Sequence, residues 1–488
     1  MSPAIYIPTG LNGAKDSNIV LQTSDKSEPL ALHPTIFVIF GITGDLAARK
    51  LLPALLALYS KKLLPPRFAI IGFSRRSFSR EEFRELIRGR LNIRPNEYHE
   101  EDVKHFLDHI SYEQGLFDSA PAYMRLAERL KTIDERWGQC SNKIFHLSVP
   151  PSLYEGILTR LAESKLTIPC DDETGWTRVL IEKPFGSDIK MAVSLDKLLG
   201  GLFEEKQIFR IDHYLAKEAL QNILAFRFAN PIFRPMWNRD HIEKIHIKLY
   251  EKDGIDGRGS FYDPIGALKD VGQNHMLVML ALVTMNEPKS FSAAGIRRER
   301  NKVLSSLKSF SKRDLKQAVV RGQYEGYRSE PGVGLQSITE TYFRIRAQLS
   351  MAQWKGVPIY LESGKALYET KTEIDIYFKN DGADRMQNIL TFRIQPDECI
   401  RIRFNVKTLG YGFETEPKTL KFKYSDAPSF STIPNDYERL IHDAFVGDQT
   451  LFASTDEIMA SWKFVTSIIE HWHDLPLKTY PKGARDIE

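Results

Sequence analysis

From residue 35 to about residue 208 the chain alternates short apolar runs with amphipathic stretches, the pattern of a parallel sheet wrapped by helices. Residues 35–40 read as a buried strand, 45–61 as a helix, 68–73 as a second strand and 80–90 as a second helix. Residues 143–149 and 178–181 continue the strand series, each followed by a helical pattern, after Pro151 and after Ser187. Pro53 lacks a backbone donor inside the first helix, which predicts a kink there. Beyond residue 240 the period becomes two: Ile245, Ile247 and Leu249 alternate with Lys244, His246, Lys248 and Tyr250, as in a sheet with one wet face. Runs at 342–349, 357–361, 373–378, 389–394 and 400–406 keep that character and predict a large, mostly antiparallel sheet. The charged, glycine-containing stretch 300–335 reads as helix plus loop, and 437–472 reads as helical.

A length of 488 residues with 42% hydrophobic content allows more than one core. The change of period divides the chain into a polar tail over 1–32, a dinucleotide-binding domain over 33–208 and a β+α domain over 209–488. The tail is expected to be loosely ordered or a partner-binding arm. With 67 basic against 63 acidic residues the net charge is +4, so no global basic field marks a nucleic-acid binder. The three cysteines, Cys140, Cys170 and Cys399, are widely spaced without a Cys-x-x-Cys pair, which argues against a disulfide framework and against a zinc site. No metal is expected, and the compartment is expected to be reducing. Neither a signal-peptide pattern nor an apolar run of membrane-spanning length is present, so the expected location is the cytoplasm, with no membrane partner.

The chemistry gathers in five places. Between the first strand and first helix stand Gly41, Thr43, Gly44, Asp45 and Leu46, with Lys50 further on. Glycines there let backbone N–H groups approach a pyrophosphate. The second strand ends in Arg75 and Arg76, where an NAD site commonly carries an acid; arginine suits a 2′-phosphate and favours NADP. Lys183 and Pro184 follow an apolar run at the carboxyl end of a strand, where open α/β sheets bind ligands, and spacing alone predicts a trans bond between them. Asp212, His213, Tyr214 and Lys217 form a cluster suited to a polar anion. Asp270 and His275 form a second, within a largely apolar helical stretch. A carboxylate beside an imidazole orients the ring and stabilises its protonated form, as a general base requires. On an ideal α-helix residues five apart differ by roughly 140°, so Asp270 and His275 are expected to flank a pocket rather than share a face.

Gly-Ile-Thr-Gly-Asp-Leu-Ala-Ala-Arg-Lys, Ile-Glu-Lys-Pro-Phe-Gly, Arg-Ile-Asp-His-Tyr-Leu-Ala-Lys-Glu, Asp-Val-Gly-Gln-Asn-His and Ser-Gly-Lys-Ala-Leu occur in that order. The set resembles the glucose-6-phosphate dehydrogenase family from about residue 35 to Trp462, ending with the stretch 447–452 and the pair Asp456 and Glu457. The resemblance implies a Rossmann-like first domain and a second domain with a large, mostly antiparallel sheet flanked by helices. It implies oxidation of glucose 6-phosphate at C1 with hydride transfer to NADP, and assembly as a homodimer or homotetramer through the second domain's sheet. His275 matches the family's general base and Asp212 the carboxylate paired with it. His213, Tyr214 and Lys217 match residues that hold substrate, mainly its phosphate. Glu251 and Asp270 match sugar-hydroxyl ligands, Lys183 a lysine touching substrate and coenzyme, and Lys365 and Gln395 further substrate contacts. Gly41, Thr43, Gly44, Asp45 and Leu46 match the phosphate turn, Arg75 the reader of the 2′-phosphate, and Lys50 a basic residue near the nucleotide.

Two departures stand out. Five residues after Lys365 the family usually offers a second basic residue, but this chain has Thr370 followed by Lys371, whose side chain on a strand points to the other face. Weaker phosphate binding or a different sugar phosphate is the expectation from that change. Ala216 replaces a glycine and would be strained if the backbone there needed positive φ. Two rival readings are a catalytically silent assembly subunit, which would lose His275, Asp212 or Lys217, and a related dehydrogenase with another hexose phosphate or with NAD.

Overall fold

The computed structural model describes residues 33–91, 93, 98–170, 175–380, 386–427 and 433–487; the tail expected over 1–32 lies outside them. Six parallel strands build the first sheet: β1 (Thr35–Phe40), β2 (Phe68–Ser74), β3 (Ile110–Gln114), β4 (Asn142–Leu147), β5 (Thr177–Glu182) and β6 (Ile208–Ile211). Their spatial order is β6-β5-β4-β1-β2-β3. All six residues of β1 and of β4 are buried, which is why these strands read as continuous apolar runs rather than alternating ones. The order reverses at β1, between β2 and β4, and that reversal opens a crevice at the carboxyl ends of the strands. β6 follows the expected boundary at residue 208 yet is hydrogen-bonded into this first sheet.

The second sheet contains β7 (Ile242–Tyr250), β8 (Val319–Tyr324), β9 (Tyr342–Ala347), β10 (Ile359–Gly364), β11 (Lys371–Phe378), β12 (Ile389–Gln395), β13 (Cys399–Lys407) and β14 (Thr415–Lys423). A two-residue β15 (Phe452–Ala453) returns to pair antiparallel with β6, and β16 (Leu477–Tyr480) completes the second sheet beside β8. The second sheet runs β14-β13-β12-β11-β7-β10-β9-β8-β16, antiparallel except at β7 with β10 and β8 with β16. Ile245, Ile247 and Leu249 of β7 are buried with the helix Leu277–Thr284, whose eight residues are all buried. That helix is apolar all round because it is enclosed on every side.

Several elements escaped the sequence pattern. β8 lies inside the stretch read as helix plus loop; its Gly322 obscures the alternation and leaves room for the Tyr480 ring, which would stand 3.1 Å from a Cβ there. The helical run expected over 437–472 is two helices, Asp436–Val446 and Thr455–Ile469, separated where Gly447 takes φ +85 and ends the first. The kink expected at Pro53 takes another form. Ala47–Leu51 widens into a π turn that runs unbroken into the helix Leu52–Ser60, so Pro53, which lacks a donor, sits where the wide turn passes into the α-helix.

The reading of the cysteines is corrected: Cys140 and Cys170 form a disulfide, with Cα atoms 6.4 Å apart and 30 residues between them in sequence. Wide spacing concealed the pair because parallel strands bring distant loops together; one cysteine precedes β4 and the other β5. Cys399 remains free and buried. Closing a loop of this length restricts the unfolded chain and stabilises the fold by about 3–4 kcal/mol. Cys140→Ser is therefore expected to lower the urea midpoint of the oxidised protein and to match the parent protein in dithiothreitol. Equal midpoints without reductant would show that the bond does not form in solution.

Candidate active site

The turn after β1 is shaped for close approach. Gly41 has φ +84, and a Cβ there would stand 2.3 Å from the Ser148 carbonyl oxygen and 2.8 Å from Val149. Gly44 donates its N–H to the Gly41 carbonyl at 2.8 Å, closing the turn. A cavity of about 550 Å³ opens here, lined by Gly41, Thr43, Gly44, Arg75, Arg76 and Ser148 among others. Tyr112 donates to the carbonyls of Ser74, at 2.9 Å, and Arg76, pinning the strand end that carries both arginines. An unobstructed glycine turn facing two arginines fits a dinucleotide. Of the other residues expected here, Asp45, Leu46 and Lys50 are not among those lining the cavity; Asp45 and Lys50 are exposed, and Asp45 lies 3.9 Å from Arg49. Asp45 and Leu46 immediately precede the π turn Ala47–Leu51, which contains Lys50. Tyr112, in the middle of β3, and Ser148, just beyond β4, carry no sequence signal for this cavity.

At the end of β6 Asp212 caps a short 3₁₀ turn, His213–Ala216, accepting the Tyr214 N–H at 3.1 Å. Its Oδ1 also accepts from His275 Nδ1 at 2.5 Å, and both residues are buried. That bond assigns the Nδ1 proton and leaves Nε2 as the basic nitrogen. The Tyr214 ring stacks on the His275 ring with centroids 4.1 Å apart, and His213 meets it edge-on at 4.8 Å.

His275 does not sit on an α-helix, which corrects the expected geometry. Leu268–Met276 is π-helical. In a turn closed by i→i+5 bonds, residues five apart are neighbours, as residues four apart are in an α-helix. Asp270 and His275 therefore share a face. Gly272 permits this packing, since a Cβ there would stand 2.8 Å from Leu268 and 2.9 Å from the Phe343 ring.

Lys183 Nζ donates to the Asp270 carbonyl at 3.0 Å and lies 3.5 Å from its carboxylate. The trans bond expected between Lys183 and Pro184 is corrected: it is cis, as is Gln395–Pro396, because the expectation rested on the general preference for trans and tertiary packing selects the isomer. Lys365, on the loop after β10, pairs with Glu251, just beyond β7. Gln395 Nε2 donates to the Tyr214 hydroxyl at 3.1 Å. Lys217 reaches Asp436, 3.2 Å away on the helix Asp436–Val446, a partner the sequence did not signal. Thr370 is turned from the site, its hydroxyl accepting the Lys252 N–H at 3.0 Å, and Lys371 is held by Glu369, Glu373 and Tyr368. Ala216 is unstrained, since it is not among the residues with positive φ.

The electrostatics suit proton transfer. Burial raises the Asp212 carboxyl, but His275 and its hydrogen bond outweigh it and hold the group down at about 2. Burial lowers His275, offset in part by Asp212, so the ring rests neutral and ready to accept a proton. Burial beside His275 also depresses His213, to about 3. Burial raises Asp270, while Lys183 and Lys365 bring it below the ordinary value.

A doubly wound nucleotide-binding sheet beside a buried carboxylate–imidazole dyad defines a nicotinamide-dependent oxidoreductase that acts on a CH–OH group. Residues 38–222 match the family described as "Glucose-6-phosphate dehydrogenase, NAD binding domain", and residues 224–488 match "Glucose-6-phosphate dehydrogenase, C-terminal domain". The chain belongs to the glucose-6-phosphate dehydrogenase family. It is 38% identical to the glucose-6-phosphate 1-dehydrogenase of Chlamydia pneumoniae, over 95% of each chain. It is 40% identical to that of Aggregatibacter actinomycetemcomitans, over 89% of this chain and 90% of the relative. A solved glucose-6-phosphate dehydrogenase in complex with its substrate glucose-6-phosphate superposes with a TM-score of 0.87 at 35% identity, covering 93% of this chain and 95% of that one.

His213 and His275 both have folded pKa values below the ordinary 6.5. Below about pH 6.5 the unfolded chain binds protons that the fold refuses, so their contribution to stability is complete above that pH and is lost as pH falls. The urea midpoint is expected to drop between about pH 6.5 and pH 4.5, less steeply in His213→Gln. Identical slopes would show that His213 titrates normally.

Proposed function

We propose that the chain oxidises glucose 6-phosphate at C1 to 6-phosphoglucono-δ-lactone, with NADP as its coenzyme. The observation that carries the reading is the buried Asp212–His275 bond at 2.5 Å, which leaves one imidazole nitrogen free as a base. A nicotinamide dinucleotide, when bound, supplies the hydride acceptor. His275 takes the C1 hydroxyl proton as hydride departs, so no protonated lactone need form, and Asp212 stabilises the resulting imidazolium. Asp270, Glu251, Lys183, Lys365 and Gln395 hold the sugar. His213, Tyr214 and Lys217 hold the phosphate, and with Thr370 and Lys371 otherwise engaged these three carry most of that task.

The functional groups of His275, Asp212 and Lys217 are all present, the first two bonded to each other and Lys217 paired with Asp436, which speaks against a silent subunit. Arg75 and Arg76 at the cavity support NADP over NAD. Leu409, Tyr411 and Phe413, with Leu420 and Phe422 of β14, are exposed along one edge of the second sheet, which supports homo-oligomerisation there. No helix among the described residues is long and apolar enough to cross a membrane. We place the protein in the cytoplasm; the Cys140–Cys170 pair lies at the ends of the strands opposite the cavity.

With glucose 6-phosphate and NADP, His275→Asn is expected to lower kcat by about 10²–10⁴-fold, followed by absorbance of the reduced nicotinamide. A rate within a few-fold of the parent would remove His275 as the base. Arg75→Ser is expected to cost about 1.5–3 kcal/mol in kcat/KM with NADP and to leave NAD turnover nearly unchanged. Parallel losses with both coenzymes would mean that Arg75 does not read the 2′-phosphate.

A further inference from the structure

Lys365 stands on a loop whose backbone is held from behind by the end of the chain. The loop leaves β10 with Ala366 at φ +53, a conformation that non-glycine residues adopt when their surroundings impose it. On one side, Lys365 and Ala366 donate their N–H groups to the carbonyls of Thr341 and Asp253, each at 2.9 Å. On the other, the carbonyls are capped by the segment that begins with β16. The Tyr480 hydroxyl donates to the Lys365 carbonyl at 2.8 Å, and the Gly483 N–H donates to the Ala366 carbonyl at 2.8 Å. Leu367 and Ala484 then bridge in parallel, and Tyr368 donates its N–H to the Ala484 carbonyl at 3.2 Å.

The anchor of this segment is rigid. Tyr480 is 2% exposed, its hydroxyl shares a 2.8 Å hydrogen bond with Thr341, and its ring packs against Tyr324 and Tyr342. Ile487 is buried in the same aromatic cluster. Tyr480 is thus bonded to the carbonyl of Lys365 and to the side chain of Thr341, whose own carbonyl accepts the Lys365 N–H. The Lys365 ammonium, 5.2 Å from the Tyr262 ring centroid and paired with Glu251, has its reach into the site set by where that backbone stands.

We propose that the C-terminal strap, residues 477–487, is a positioning element of the active site, with Tyr480 the residue that fixes Lys365. Substrate affinity then depends on a segment with no catalytic group of its own. The inference rests on the reading of Lys365 as a substrate ligand, and a double-mutant cycle in the full-length protein separates the two. Tyr480→Phe keeps the ring and removes the donor. It is expected to raise KM for glucose 6-phosphate about fivefold while kcat stays within about twofold and KM for NADP is unchanged.

Lys365→Ala is expected to raise KM further, and the double variant to match Lys365→Ala alone, because Tyr480 acts through that side chain. Thr341→Val, which loosens the Tyr480 hydroxyl without touching the ring, is expected to shift KM in the same direction and serves if Tyr480→Phe does not fold. A raised KM in Lys365→Ala with an unchanged KM in Tyr480→Phe or Thr341→Val would overturn the strap's role and leave Lys365 as a ligand. An unchanged KM in Lys365→Ala would overturn the reading of Lys365, and the proposal with it. Losses that multiply in the double variant would show that Tyr480 acts on overall packing rather than through Lys365.

Discussion

The structure depends on a buried carboxylate and a buried imidazole meeting at 2.5 Å. Removing an ionised carboxylate from water costs several kcal/mol, and here the offset comes from one ring N–H, one backbone N–H and nearby lysine charge. Each partner arrives from a different unit. Asp212 is fixed by β6, a strand of the first sheet, and by the short turn it caps. His275 is fixed by a π segment packed against the second sheet. A small slip of one unit against the other would strand the charge, so the two must dock rigidly. Strand β15 supplies part of that rigidity: the chain returns from the second domain to pair Phe452 with Ile211, immediately before Asp212. Arg300, fully buried, donates to the Thr450 and Phe452 carbonyls at 2.8 and 2.9 Å and to Glu457 at 2.7 Å, fixing β15 in turn.

Around this dyad each site lysine already has a carboxylate. Lys183 faces Asp270, Lys365 faces Glu251 and Lys217 faces Asp436. Such pairing keeps long side chains aimed into the site and spares isolated charges the cost of partial burial. None of the three is therefore a bare cation in the fold.

Much of this was legible in the sequence because it rests on local chemistry. The buried strands announced themselves as apolar runs, β7 as strict alternation, and the site residues as motifs whose order fixes a family. What stayed hidden was non-local. The disulfide joins loops that only the parallel sheet makes adjacent. Asp436 and Tyr480 bond to Lys217 and to the Lys365 carbonyl from much later in the chain, where spacing says nothing about who faces whom. The motif that matches Asp45 to the phosphate turn and Lys50 to the nucleotide's surroundings says nothing of the wide turn that begins at Ala47 between them.

The π segment shows why propensity and function diverge at a single point. An α-helix through 268–276 would satisfy local preference, yet it would rotate His275 away from Asp270 by well over a quarter turn. The i→i+5 turn restores the shared face, at the cost of weaker backbone bonding. Gly272 looks in sequence like a defect in an apolar helix. In the fold it is the residue that lets this wider turn lie flat against Phe343, where any side chain would collide. The locally unfavourable choice at 272 therefore goes with the arrangement at 275: His275 stands beside Asp212 and shares a face with Asp270, and a turn of this width meets both conditions.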